Sequence, residues 1–369
     1  MTVTFIDAFA GAGGLSLGLH QAGLRSLLAF DTDPIACRTL AKNLHGDVRN
    51  VALGDLPPQA VLDDVGEPDV IVGGPPCQGF STQRRGPRSD VRNDLVEDYF
   101  RFAMAIRPKV IVMENVPGVL GLRGLAHMRE VERHVREAGY EFAHQVIDLS
   151  SVGVPQRRRR ALVVAWDPAR AAAFDFASIP RVTETATVRG AIGDLPEPPH
   201  DFSEHPMYAN HVRVRMSPLN LERISHVPPG GGRLDLPRSL QMACHLDSEH
   251  RHLDVFGRLE WDAPAGTITA MFDNFTRGRF AHPAQDRNIT NREGARLQTF
   301  PDSYVFEGAK KQIARQIGNA VPPMFGRAIG LAILRQFGEA TSPDLSQVDI
   351  DPEYSLVSSR HERELQATR

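Results

Sequence analysis

Cysteine is scarce. The 369 residues contain three, Cys37, Cys77 and Cys244, and none sits in a C-x-x-C pair. That excludes a disulfide framework and a cysteine-based zinc site, so no metal is expected, and any cysteine that matters must matter for reactivity. Long apolar runs are also missing: no segment reaches about 18 unbroken apolar residues. The N-terminal MTVTFIDAFAGAGG has no basic lead followed by an apolar stretch and a cleavage site. Neither a membrane span nor a secretory leader is expected, and a cytoplasmic location is. A positive balance is absent too. With a formal net charge of -3, the chain is not a wholesale basic nucleic-acid binder, and any such partner must be met by local clusters. Two clusters exist, Arg84, Arg85, Arg88 and Arg92, and the unbroken run Arg157 to Arg160.

What is present is an ordinary soluble composition, 41% hydrophobic and 24% charged, long enough for two domains. The first half alternates strands and helices. VTFIDAF (3 to 9), SLLAFD (26 to 31), DVIVGG (69 to 74), KVIVMENV (109 to 116) and RRALVVAW (159 to 166) read as nearly continuous apolar strands. LSLGLHQAG, PIACRTLAKNL and VEDYFRFAMAI read as helices between them. This pattern predicts a doubly wound α/β domain whose parallel sheet is covered on both faces. From about 190 to 300 proline, glycine and histidine rise and the periodicity fades, which predicts a second, smaller and irregular domain. Helical character returns over 310 to 338, and the polar stretch from 339 to 369 reads as a flexible tail.

The chemistry sits where strands end. AGAGGLSLGL (10 to 19) is a glycine-rich turn at a helix N-terminus, and Asp31 closes the next strand, where a carboxylate can take ribose hydroxyls. The spacing departs from G-x-G-x-x-G, which favours a shorter nucleoside ligand over a dinucleotide. Cys77 follows DVIVGG on a proline-bounded turn, at the carboxyl end of a parallel strand, the place where open α/β sheets put their sites. Glu114 and Asn115 are delivered to the same edge. Gln156, Arg158 and Arg160 alternate, which on a strand points all three to one face.

Six blocks taken together carry a resemblance. They are Phe9-Ala10-Gly11 with Gly13; Pro75-Pro76-Cys77-Gln78; Glu114-Asn115-Val116; Gln156-x-Arg158-x-Arg160; Arg292-Glu293 with Arg296-Leu297-Gln298 and Phe300-Pro301; and Gln316-x-Gly318-Asn319-Ala320-Val321. In this order they resemble the signature blocks of the DNA cytosine-5 methyltransferases of bacterial type. The resemblance implies a Rossmann-like S-adenosylmethionine-dependent methyltransferase domain (1–190), a target-recognition domain (191–300), a helical segment returning to the catalytic domain (301–338), and the tail.

It also implies roles. Cys77 matches the nucleophile that adds to cytosine C6, Glu114 the acid at N3, Arg158 and Arg160 the arginines beside the base, and Asn115 the support of loop and base. Phe9, Ala10, Gly11, Gly13, Asp31, Asp55, Asn319 and Val321 match the S-adenosylmethionine site, with Asp55 toward the adenine amino group. Gln78, Ser81 and Arg84 are assigned to DNA, as are Thr267, beside the flipped base, and Arg277 and Arg279, to guanine or phosphate. The implied partners are double-stranded DNA and a cognate restriction endonuclease, with the enzyme itself a monomer. A tRNA methyltransferase of the same architecture is the nearest competing reading. A nicotinamide oxidoreductase would use the same first turn but leaves Cys77, Glu114 and the Gln-x-Arg-x-Arg block unexplained.

Overall fold

The computed structural model describes residues 2–44, 46–76, 94–122, 124–243, 254–339, 341 and 345. The chain divides into two compact units, unit 1 over Met1–Val152, Arg159–Thr183 and Val321–Arg369 and unit 2 over Gly153–Arg158 and Glu184–Ala320. Residues 301–320, grouped with the returning segment in the sequence reading, therefore fall in unit 2, as do 153–158.

Unit 1 opens with β1 (Thr4–Ala8), α1 (Gly14–Gln21), β2 (Arg25–Asp31), α2 (Pro34–Asn43), β3 (Val48–Asn50), α3 (Pro58–Val65), β4 (Val70–Gly73), α4 (Asp94–Ile106), β5 (Val110–Asn115), α5 (Leu125–Glu137), β6 (Glu141–Asp148) and β7 (Arg159–Trp166). Among the described residues these strands form one seven-stranded sheet in the order β3-β2-β1-β4-β5-β7-β6. The order reverses between β1 and β4, which makes their carboxyl ends the topological switch point. β4 and β5 are buried along their whole length. Such runs read as unbroken apolar sequence because helices cover both faces. Ile6, Phe30, Ile71, Ile111, Met113 and Val163 share one core with Val61 of α3, Phe100 of α4 and Val131 of α5.

The expectation of a parallel sheet needs one correction. β7 runs antiparallel to both β5 and β6. Only residues 149–158 separate β6 from β7, too short for the helical crossover of a dozen or more residues that parallel neighbours require. A second correction concerns the alternating block. β7 begins at Arg159, so Gln156 and Arg158 precede the strand and only Arg160 lies in it.

Unit 2 holds α6 (Val188–Ile192), β8 (Glu204–His205), β9 (Tyr208–Val212), α7 (Pro218–Ser225), β10 (Gly257–Arg258), β11 (Arg279–Ala281), α8 (Asn291–Leu297) and α9 (Lys310–Asn319). Its described sheets are two-stranded ribbons, so long loops carry most of its backbone. Buried side chains bond that backbone instead. Arg258, only 5% exposed, donates to the carbonyls of Ile224, Val227, His282 and Gln285, and Arg292 to those of Ala209, Pro301 and Tyr304.

The chain then re-enters unit 1 with α10 (Pro323–Gln336). The stretch expected to be helical from 310 to 338 is thus two helices. Pro322 and Pro323 follow α9, and proline neither donates to the preceding turn nor tolerates a helical residue before it. Taken together, 310–336 is long and apolar enough to cross a membrane, but most of it is buried within the protein.

α1 and α10 touch backbone to backbone. A Cβ on Gly18 would lie 2.2 Å from the Pro323 oxygen and 2.5 Å from the Arg327 nitrogen. No flexible side chain is there to give way. Gly18→Val is therefore expected to cost roughly 3 kcal/mol or more, the upper end of ordinary overpacking. Gly54→Ala, with nothing within 4 Å of its added carbon, should stay within about 0.5 kcal/mol of the parent. Equilibrium urea unfolding measures both, and equal midpoints would contradict the contact.

Candidate active site

The turn after β1 is set by its backbone. Phe9, Gly11 and Gly13 all have positive φ, at 61°, 54° and 80°. The turn is pinned across the sheet edge, where the Ala10 amide donates to the Phe30 carbonyl at 3.0 Å. Asp31 closes it from β2. One of its oxygens accepts the Gly11 amide at 2.9 Å and the other the Asp33 amide at 2.8 Å. A carboxylate has about four lone-pair sites, so both oxygens keep acceptor capacity for hydroxyls.

A nucleoside-type ligand fits what is left. No atom lies within 4 Å of where a Gly11 side chain would stand, and α1, capped by Gly13, has no side-chain cap and no acidic residue in its first turn. Glycine at the cap position offers no side chain to take the leading amides. Asp55 ends a short 3-10 turn, Leu53–Asp55, and is exposed.

Beneath the turn lies a group the sequence reading passed over. Asp7 of β1 is 1% exposed and accepts the Ser16 hydroxyl from α1 at 2.5 Å. Burial pushes its carboxyl up to about 7, opposed by the Ser16 hydroxyl and reinforced by the nearby Asp31 charge. The available signal was a lone carboxylate inside the apolar run VTFIDAF.

At the neighbouring edge, β5 ends in Glu114 and Asn115, 8% and 5% exposed. Arg160 Nε of β7 lies 2.8 Å from Glu114 Oε1, an ion-pair contact not aligned as a hydrogen bond. The Asn115 amide donates to the Pro75 carbonyl at 3.1 Å, while its oxygen accepts the Val116 amide at 2.7 Å. Asn115 thereby holds the segment leaving β4 two residues before Cys77. Cys77, Gln78, Ser81 and Arg84 lie outside the described residues.

The remaining candidates divide between the units. Val321 precedes α10 in unit 1; Asn319 is the exposed last residue of α9 in unit 2. Also in unit 2, Arg158 is 2% exposed and donates to the carbonyls of Ile268 (2.9 Å), Gly318 (3.3 Å) and Ala320 (3.1 Å). Thr267 donates its hydroxyl to the Arg157 carbonyl at 3.0 Å. Arg279 bonds to the carbonyls of Gly230, Gly231 and Arg258 and pairs with Asp254 at 3.1 Å. Arg277 is exposed. Of these two arginines, the structure engages Arg279 in holding a glycine loop and leaves Arg277 on the surface.

The family model for C-5 cytosine-specific DNA methylase matches residues 3–335. The chain belongs to this family. Among curated proteins, it is 34% identical over 343 residues to the Type II methylase M.HgiDII of Herpetosiphon aurantiacus, covering 91% of this chain and 96% of that protein. It is 35% identical over 338 residues to the Type II methyltransferase M.Eco47II of Escherichia coli, covering 90% and 78%. Among solved structures, a DNA modification methyltransferase encoded within an E. coli prophage superposes with a TM-score of 0.74 at 23% identity, covering 92% of this chain and 100% of the other. The Entamoeba histolytica methyltransferase EhMeth gives 0.65 at 16% identity, covering 91% and 99%; at these identities the shared property is the fold. The methylase is thus a DNA cytosine-5 methyltransferase built on a Rossmann-like domain, and family and fold imply use of S-adenosylmethionine.

Two residues of the Arg292-Glu293 block are wholly internal to unit 2 of the methylase. Glu293 accepts the Thr290 amide at 2.7 Å in a capping box at the start of α8, and takes both ends of the Arg287 guanidinium at 2.8 and 2.7 Å. Burial pushes the Glu293 carboxyl up, but Arg287, with His282 and His211, outweighs it and holds the group at about 2. Burial also drives His282 down to about 4, despite Glu293 at 3.8 Å.

Both folded values lie below the ordinary ones of 6.5 and 4.5. Unfolded chains therefore bind the extra proton first, His282 between about 6.5 and 4 and Glu293 between about 4.5 and 2, and stability falls as pH falls through each window. Asp7, raised to about 7, contributes the opposite slope over the same range, so the expected outcome is a difference. Between pH 7 and pH 5, His282→Asn should remove up to one proton from the acid-side fall of the urea midpoint that His282 contributes to the parent. A slope unchanged by the substitution would count against a buried neutral His282.

Proposed function

We propose that the chain transfers a methyl group from S-adenosylmethionine to C5 of a cytosine swung out of a specific double-stranded DNA sequence, through a covalent bond between Cys77 and C6 with Glu114 assisting at N3. The observation that carries this reading is the Glu114 edge. A buried carboxyl group beside Arg160 shares the end of β5 with Asn115, whose amide fixes Pro75, two residues ahead of Cys77 in the sequence.

The chemistry follows from the weakness of cytosine C5 as a nucleophile. A base within a helix cannot be reached from both faces, so it is extruded at a cost of a few kcal/mol. The Cys77 thiolate adds to C6, and the electron pair displaced from the C5–C6 double bond makes C5 enamine-like. Glu114, held by Arg160, hydrogen-bonds or protonates N3 and draws that density forward. S-adenosylmethionine, when bound, supplies an electrophilic methyl group. A base or water then takes the C5 proton, the electron pair of that C–H bond restores the C5–C6 double bond, and Cys77 leaves as the thiolate. Asp31 takes the ribose hydroxyls and the Phe9–Gly13 turn receives the rest of the nucleoside, with Asp55 toward the adenine. We assign DNA recognition to unit 2, with the exposed Arg277 and the half-buried Thr267 as its candidates, and Gln78, Ser81 and Arg84 to contacts near the base. By analogy with its Type II relatives, the protein is the modification half of a restriction-modification system with a cognate endonuclease, acting as a monomer on DNA in the cytoplasm.

Bisulfite sequencing of DNA from an expressing host gives the methylated site, because only methylated cytosine resists conversion. A duplex carrying 5-fluorocytosine at that position has no C5 proton to lose. Incubated with the enzyme and S-adenosylmethionine, it is expected to give an adduct that survives denaturing electrophoresis. Cys77→Ser should abolish the adduct and Glu114→Gln should slow its formation strongly, because an amide can at most hydrogen-bond N3 and cannot protonate it. A crosslink mapped to Cys37 or Cys244 would overturn the assignment. Asp31→Ala should weaken S-adenosylmethionine binding by about ten- to a hundred-fold in calorimetric titration, the equivalent of roughly 1.5 to 3 kcal/mol for charged hydrogen bonds. Unchanged affinity would remove Asp31 from the site.

A further inference from the structure

Asp7 lies beneath the cofactor turn, yet no step of the proposed reaction uses it. We propose that Asp7 is a positioning residue: in its charged form it clamps the first turn of α1 through Ser16 and holds the 9–13 turn in the shape that receives the cofactor, so that cofactor affinity falls when Asp7 takes up a proton. The proposal rests on the cofactor reading given above to the turn and to Asp31. Everything it uses lies within unit 1.

The clamp spans the turn. Ile6 and Ala8 of β1 belong to the core shared with α3, α4 and α5, so Asp7 between them points to the other face of the sheet, where α1 lies. There it accepts the Ser16 hydroxyl at 2.5 Å and is also met by the Ser16 backbone amide. Ser16 is the third residue of α1, whose cap, Gly13, has no side chain. Asp7 thus stands in for the missing capping carboxylate, answering one leading amide and the positive end of the helix from below. The chain between the two ends of the clamp contains Phe9, Gly11 and Gly13, all with positive φ. For Phe9, a residue with a Cβ, such a conformation persists only where the surroundings fix it. Asp31 fixes the middle of the turn through the Gly11 amide, and Asp7 with Ser16 fixes its two ends.

Charge decides the strength of the clamp. A carboxylate receives both Ser16 donors in charge-assisted bonds, roughly twice as strong as neutral ones, and a protonated carboxyl loses that advantage. The charged form is costly here, because burial and the Asp31 charge oppose it while Ser16 supports it. The balance leaves the group at about 7, so both forms are populated near neutral pH. Tyr99 of α4, across the sheet, is itself pushed up by burial and by the Asp7 charge. β4, which pairs with β1, carries no titratable side chain. α10 meets α1 at Gly18, and its buried Arg327 donates to the Leu345 carbonyl. Ser16 also lines a small cavity together with His20 and Asp47, which adds those two titratable groups to its side of the sheet.

The test follows S-adenosylhomocysteine binding to the unaltered protein by calorimetry from about pH 8 to about pH 6. One linked proton predicts an affinity up to about tenfold lower at the acid end, and proton release on binding near neutrality, read from titrations in two buffers of different ionisation enthalpy. Asp7→Asn keeps the shape without the charge, so it should bind more weakly at the alkaline end and vary by less than about twofold across the range. Ser16→Ala removes a bond that favours the charged form and should move the fall to higher pH. His20→Gln should keep the parent profile. A parent affinity that does not change with pH, a profile that survives Asp7→Asn, or one that vanishes in His20→Gln overturns the proposal and leaves the cofactor reading standing. Failure to bind at any pH overturns both. Should Asp7→Asn fail to fold, Ser16→Ala decides, and an unshifted profile there overturns the proposal.

Discussion

Every buried carbonyl needs a donor, and unit 2 cannot supply enough of them from its own backbone. A sheet pairs its peptide groups by construction; loops do not. Unit 2 answers with long side chains turned inward. Arg158, Arg258 and Arg292 donate to carbonyls from three separate parts of the unit, and Asn288 donates to those of Phe272 and Ile289. Each is a charged or polar group out of water whose burial is made tolerable by the carbonyls that its donors reach. The arrangement makes the irregular unit depend on a few residues, since removing one arginine leaves several carbonyls unsatisfied at once.

Unit 1 solves the opposite problem. Its sheet satisfies itself, so chemistry-bearing side chains are free to collect where strands end and the strand order reverses. Asp31 at the end of β2, the turn after β1, and Glu114 with Asn115 at the end of β5 all lie along the same carboxyl edge. What fixes them is again hydrogen bonding to backbone: Asp31 to the Gly11 and Asp33 amides, Asn115 to the Pro75 carbonyl. Asp7 is the buried counterpart under the turn, tying β1 to the first turn of α1 through Ser16.

This contrast explains what could be read from sequence and what could not. Strands buried on both faces appear as unbroken apolar runs, so β1, β2, β4, β5 and β7 were legible to within a residue or two, together with α1, α2 and α4. The edge strands β3 and β6 were not. β6 buries only Phe142 and Ile147 and carries Glu141, His144 and Gln145, a pattern without the apolar signal of its neighbours. The carboxyl-edge residues were legible because strand ends locate them. The orientation of arginines was not, because a guanidinium that seeks carbonyls and one that seeks phosphate are the same letter. Arg277 and Arg279 flank one glycine, yet Arg279 holds the Gly230 and Gly231 carbonyls while Arg277 is exposed.

The Gln-x-Arg-x-Arg block shows how far that ambiguity reaches. In sequence it is one alternating motif with one expected direction. In the fold the chain passes from unit 2 to unit 1 between Arg158 and Arg159. Arg158 therefore bonds to carbonyls of Ile268, Gly318 and Ala320, while Arg160, two residues on and inside β7, meets the Glu114 carboxyl. A lysine could keep the charge at either position but not the fork, and the losses would differ. At Arg160 one point contact with a carboxyl group is at stake, which an ammonium group reproduces in part. At Arg158 the bonds diverge to three carbonyls from two nitrogens, a geometry that three donors on one nitrogen do not match. Arg158 is thus the less replaceable of the two, although Arg160 is the one that touches the carboxyl group assigned to the chemistry.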